Sequence, residues 1–149
     1  MIPIARRAFV AATLGWAAAL PLAAFAASRP HASLWYAFAF IVYGVGSIVC
    51  HQLPARSFHL WAAQMAVCAR CTGIYVGAAL GVLPMRLPPV RSTFSALAVA
   101  AIPTSATLVY EWTGGQMPSN WIRAAAGVPI GFVVAALVLR PPSDERRLA

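Results

Sequence analysis

The sequence contains no lysine, only three acidic residues and only 9% charged residues. So little charge cannot clothe a soluble domain of 149 residues, because a water-facing shell needs polar side chains. With 61% hydrophobic residues and a mean hydropathy of +0.75, the composition is that of an integral membrane protein forming a single domain over 1–149. The scarcity of acid narrows the chemistry too. Of Glu111, Asp144 and Glu145, only Glu111 falls inside an apolar segment. Catalysis by paired carboxylates has no support, and metal transport ranks last, since a permeation path needs more polar groups across the bilayer. Serine-based catalysis and phosphate loops have no support either. The net charge of +8 comes from arginines scattered singly between apolar runs, without a basic patch interleaved with aromatics, so nucleic acid is not an expected partner. The arginines read as flanking charges at lipid headgroups, and the expected partner is the lipid bilayer.

In chain order, residues 8–27 form an uncharged apolar run behind Arg6 and Arg7, long enough for one crossing of about 20 residues. A cleaved signal peptide is the competing reading of that run. Arg29, Pro30 and His31 make a turn, His31 being solvated, and a second helix is expected over 34–49, ending at Cys50. Residues 51–67 are amphipathic and irregular, and are expected to lie along the interface as a short helix or re-entrant loop. A third helix is expected from Cys68 to Leu83. Pro84, Arg86, Pro88, Pro89 and Arg91 break the chain, and two more helices follow over 94–112 and 121–139, before a charged tail. The expected fold is an all-α polytopic bundle of about five transmembrane helices with a Cys/His loop between the second and third. Counting crossings puts the amino terminus, the loop, Glu111 and Arg123 on one face, and Arg29, Arg86, Arg91 and the tail on the other. The Arg6-Arg7 lead then sets the loop on the cytoplasmic side of the cell (inner) membrane.

All three cysteines and two of the three histidines fall between Cys50 and Cys71. A Cys-x-x-Cys pair such as Cys68 and Cys71 can bring both sulfurs to about 2.3 Å from one zinc ion without straining the backbone. Cys50 supplies a third ligand, and the fourth is His51 or His59. His59 has the stereochemical advantage, because adjacent side chains such as those of Cys50 and His51 rarely reach one ion. Zinc is the expected metal, with another transition metal as an alternative. The plain alternative is three small, buried, inert thiols. A redox reading is also open, since a thiol at a helix start near Arg70 becomes a good nucleophile. In that reading Cys68 and Cys71 pass electrons to quinone as a membrane thiol-disulfide oxidoreductase. The odd cysteine count leaves only Cys50 as relay.

Gly73, Gly77 and Gly81 recur every four residues, a pattern that lets membrane helices approach closely, and Gly127 and Gly131 repeat it in the fifth helix. The two helices are expected to pack on each other, although the same faces suit a homo-oligomer. Glu111 needs partners, and Arg70 and Arg123 are the candidates for a structural ion pair. Asn120 is expected to cap the fifth helix. Trp35, Trp61, Trp112 and Trp121 read as interfacial anchors.

The string Cys50-His51-Gln52, Pro54, Arg56-Ser57-Phe58, Gln64, Val67-Cys68-Ala69-Arg70-Cys71-Thr72-Gly73-Ile74-Tyr75 and Gly77 resembles the signature of domain of unknown function 2085, a family of small predicted multi-pass membrane proteins. The likeness extends more weakly through Ser119-Asn120, Arg123 and Gly127, covering about 48–131, with the first helix outside that core. This chain has Ala62-Ala63 where the family commonly has a glycine before the glutamine, and Ala126 where it has threonine. The resemblance implies a membrane protein with a shared cysteine site, with His51 and not His59 as the fourth ligand. It implies no activity.

Overall fold

The computed structural model describes residues 3–29, 33–83 and 93–140. His31, the 84–92 segment with Arg86 and Arg91, and the tail with Asp144, Glu145, Arg146 and Arg147 lie outside the described residues. The fold is an all-α membrane bundle, with five α-helices among the described residues: α1 Pro3–Ala27, α2 Ser33–Val49, α3 Ala69–Gly81, α4 Thr93–Gly114 and α5 Asn120–Val138. Three of them, over Ile4–Ala27, Thr93–Gly114 and Asn120–Val138, are long and apolar enough to cross a membrane. Helix α2 is apolar but shorter.

Glycine spacing sets the tightest contact in the bundle. Helices α3 and α5 run parallel, with Gly73 against the Ala124 carbonyl, Gly77 against that of Val128 and Gly81 against that of Phe132. From the other side, Gly127 meets the Arg70 carbonyl and Gly131 that of Ile74. A Cβ at any of these positions would collide with backbone, so only glycine allows this approach. Both glycine faces are used inside the chain and are not free for a second copy. Helix α4 joins through Thr104, whose Oγ1 donates to the Ala126 carbonyl at 2.7 Å.

The cap of α5 is Ser119, whose Oγ accepts from the Ile122 N–H at 3.4 Å. Asn120 is already helical, and its Nδ2 donates to the Ser57 carbonyl at 2.9 Å, tying α5 to the loop. The expected capping role of Asn120 is thereby corrected. Its neighbour in the chain reaches the helix N–H groups first and leaves the amide free for the loop.

The 51–67 segment is neither a helix nor a featureless loop. A 3₁₀ turn, Pro54–Arg56, leads into two short antiparallel strands, β1 His59–Leu60 and β2 Ala63–Gln64, paired His59 to Gln64 and Leu60 to Ala63. Trp61 and Ala62 make the turn with φ of 50° and 63°. A type I′ two-residue hairpin turn needs positive φ at both positions, which Asn-Gly usually provides. Trp-Ala gives no such signal in the sequence.

Helix α1 completes the core. Leu20, Ala23 and Ala24 pack with Val42, Cys50, Met65, Ala66 and Val67 in one buried cluster. Trp16 meets Tyr75 edge-on at 5.9 Å, and nine residues later Phe25 meets Trp61 of the hairpin at 5.3 Å. Helix α1 therefore runs antiparallel to α3 and ends beside the hairpin, where Arg29 lies over the Phe25 ring at 4.6 Å. Counting crossings put Arg29 on the opposite face. That count takes every apolar run as a full crossing, whereas α2, at 17 residues, is about 25 Å long against a hydrocarbon core of about 30 Å.

Candidate metal centre

The loop is held in place before any metal is considered. Gly46 of α2 leaves room for the Ala66 carbonyl and the Gln52 amide where a side chain would otherwise stand. Gln52, at φ 50°, donates from Nε2 to the carbonyls of Tyr43 and Ala66, both at 2.8 Å. Gln64 Nε2 donates back to the Gln52 carbonyl, and the Tyr43 hydroxyl donates to the Gln64 carbonyl. The buried Ser57 closes its turn by donating to the Leu53 carbonyl at 3.0 Å. Gln52 thus acts as a clamp between α2 and both arms of the loop. In the sequence Gln52 is only one member of a motif string, because nothing in local pattern marks a glutamine as a clamp.

This clamp delivers three sulfurs to one place. Cys50 follows the last turn of α2 and is buried. Cys68 caps α3 in extended conformation, and Cys71 lies in its first turn. The backbone N–H of Cys68 donates to Cys50 Sγ at 3.2 Å, and the sulfurs of Cys68 and Cys71 are 3.4 Å apart. All three Sγ atoms lie within 4.8 Å of one another. Three thiolates each about 2.3 Å from a tetrahedral ion stand about 3.8 Å apart, so the group needs only small side-chain adjustments to hold one. The three cysteines could hold a metal ion, and an all-sulfur donor set suits zinc, copper(I) or iron–sulfur chemistry over magnesium or calcium.

His51 and His59 are both exposed, and among the described residues no histidine or carboxylate joins the three cysteines. His59 sits on the hairpin.

The Cys68 thiol is brought down from 9.0 to about 5. The largest cause is the hydrogen bond with the Cys71 thiol, which donates to the Cys68 thiolate. Burial opposes the shift, while the Cys71 backbone, the Cys50 thiol and the charge of Arg123 add to it. Such a thiol ionises readily, as a metal ligand or a nucleophile must.

Beside the sulfurs lies a cluster of charge. Glu111 on α4 is 6% exposed, and its Oε1 accepts from Arg70 Nη2 at 3.0 Å. Arg70 Nη2 also donates to Thr107 Oγ1 at 3.1 Å. The guanidinium of Arg70 therefore reaches α4, while its backbone packs on α5. Arg123 Nε stands 3.1 Å from the same Glu111 oxygen. Its N–H does not point at that oxygen, so the contact is Coulombic and not a formed hydrogen bond. Arg56, which the sequence reading left out of this group, approaches Glu111 Oε2 at 4.0 Å from the 3₁₀ turn. Its place follows from the loop folding over α4 and α5, which no local spacing announces.

Comparison with known proteins places these residues in a family context. The family described as Predicted membrane protein (DUF2085) matches residues 50–137, a stretch that begins at Cys50 and excludes α1. The chain is similar to the uncharacterized protein MJ1492 of Methanocaldococcus jannaschii, 32% identical over 112 residues, covering 72% of each chain. It is also similar to an uncharacterized protein of Methanothermobacter thermautotrophicus, 34% identical over 92 residues, covering 60% of this chain and 83% of the relative. No solved structure matches.

Proposed function

The chain belongs to the DUF2085 family of predicted membrane proteins, and from that premise we propose that it is a single-domain, multi-pass membrane protein holding one zinc ion on Cys50, Cys68 and Cys71. The observation that carries the reading is the gathering of three sulfurs within 4.8 Å, with a backbone N–H donated to one of them. Metal binding takes cysteine sulfur in its thiolate form. His51, next to Cys50 and exposed, is the protein group that can turn into the fourth position. If it does, the ion pins the loop over the start of α3 as a structural site. If an exogenous donor takes that position, zinc supplies Lewis acidity at the membrane face. The ion pairs of Arg70 and Arg123 with Glu111 clamp α3, α4 and α5 beneath the site.

The direction of α1 bears on sidedness. Arg6, Arg7 and Arg140 stand at helix ends remote from the loop. The loop end has Arg29 and Arg56, with Arg70 and Arg123 buried on Glu111. Positive charge favours the cytoplasmic side, so the site faces away from the cytoplasm in this reading. That reverses the sidedness expected from counting crossings.

One observation favours a second reading. The 3.4 Å separation of Cys68 and Cys71, with a thiol lowered to about 5, suits a quinone-linked thiol-disulfide pair. A non-cytoplasmic site would permit it. Zinc content of the purified Cys68→Ser chain separates the readings: loss of zinc supports the metal site, and unchanged zinc overturns it.

A further inference from the structure

The charges around Glu111 do not balance. Three guanidinium groups, those of Arg56, Arg70 and Arg123, converge on one carboxylate, and Glu111 is the only acid among the described residues. Arg123 is 2% exposed, and neither its Nε nor its Nη1 has a hydrogen-bond partner. Arg70 Nε is buried without a partner as well. Buried N–H groups are normally satisfied, and a buried cation is normally matched by an anion, so donors and charge are both in surplus here.

We propose that Arg56, Arg70 and Arg123 form an anion site for a phosphate group at the loop end of the bundle, with Arg56 as its movable side. Arginine's planar fork suits phosphate oxygens, which accept several donors at once and carry the charge that the cluster lacks. Arg56 is the weakest-held member, 41% exposed on a short turn and 4.0 Å from its carboxylate oxygen. Swinging it outward releases its contact with Glu111 without moving a helix. Trp112 at the end of α4 and Trp121 at the start of α5 are both strongly exposed, as expected of side chains at headgroup level. The phosphate is therefore either that of a lipid headgroup or a free one in water. This inference stands apart from the metal reading and survives its failure.

The test uses the full chain in a non-ionic detergent and follows its thermal midpoint. One arm titrates inorganic phosphate against chloride at constant ionic strength. The other adds phosphatidylglycerol or phosphatidylcholine to the micelles. A saturable rise with inorganic phosphate assigns the site to free phosphate, and a rise with phosphatidylglycerol alone assigns it to a headgroup. In either case Arg56→Gln, which removes a half-exposed side chain and leaves the helices intact, is expected to weaken the midpoint response about tenfold in concentration. Glu111→Gln is expected to enlarge the rise, because the added anion then replaces a lost charge. A midpoint unmoved by both probes, or an Arg56→Gln chain that responds like the parent, overturns the proposal.

Discussion

The backbone N–H of Cys68 donates to the sulfur of Cys50 at 3.2 Å, joining the cap of α3 to the end of α2 across 18 positions of the chain. This contact ties the loop to the bundle and fixes the position of the Cys50 sulfur. Replacing Cys50 by Ser keeps an acceptor for that N–H but removes a soft ligand. Cys50→Ser is expected to lower zinc affinity at least tenfold with a smaller loss of thermal stability, measured by chelator competition and by unfolding of the same preparation. Equal zinc affinity in parent and variant would remove Cys50 from the ligand set.

Gln52 donates two hydrogen bonds, one to the Tyr43 carbonyl of α2 and one to the Ala66 carbonyl of the loop. Gln52→Ala removes both hydrogen bonds while the positive φ at this position remains. A destabilisation of about 2–4 kcal/mol is expected, read from denaturant unfolding in detergent. A change under about 0.5 kcal/mol would mean that the loop is held by something else.

At the hairpin turn, Ala62 has a φ of 63°, a left-handed conformation that glycine adopts without cost. Ala62→Gly is expected to stabilise the chain by about 1 kcal/mol and to leave metal content unchanged. Lower stability of the glycine variant would contradict the turn described for Trp61 and Ala62.

The Cys68 thiol is lowered from 9.0 to about 5, so in metal-free folded protein it remains thiolate as pH falls from 9 toward 5 and is protonated below that. A lowered folded value stabilises the fold above the unfolded value, and that stabilisation is lost as pH falls through the folded one. Site-resolved alkylation of metal-free protein is expected to modify Cys68 at pH 6 nearly as fast as at pH 8 and to slow below pH 5. In denaturant the same thiol is expected to react markedly more slowly at pH 6 than at pH 8, as an ordinary cysteine does.

Much of this was legible in the sequence, for identifiable reasons. Long apolar runs placed α4 and α5 to within a residue or two, because a crossing has a fixed length. Glycines spaced by four pointed to the α3–α5 contact, since one steric requirement produces both the spacing and the partner. Two cysteines at Cys-x-x-Cys spacing over the first turn of a helix had to lie close. What the sequence hid depends on conformation remote from local pattern. Trp61 and Ala62 take positive φ without turn chemistry, Ser119 takes the cap that Asn120 suggested, and Gln52 becomes a clamp only after the loop folds back on Gly46. The direction of α1 was hidden too, because aromatic contacts between Phe25 and Trp61 leave no periodic trace.

The most direct test is elemental analysis of detergent-purified protein, with thiols counted in the same sample under denaturing conditions. About one zinc per chain with all three thiols free is the expected result. Absence of metal, with one free thiol and the other two joined as a disulfide, would contradict the metal site and make Cys68 and Cys71 a redox pair.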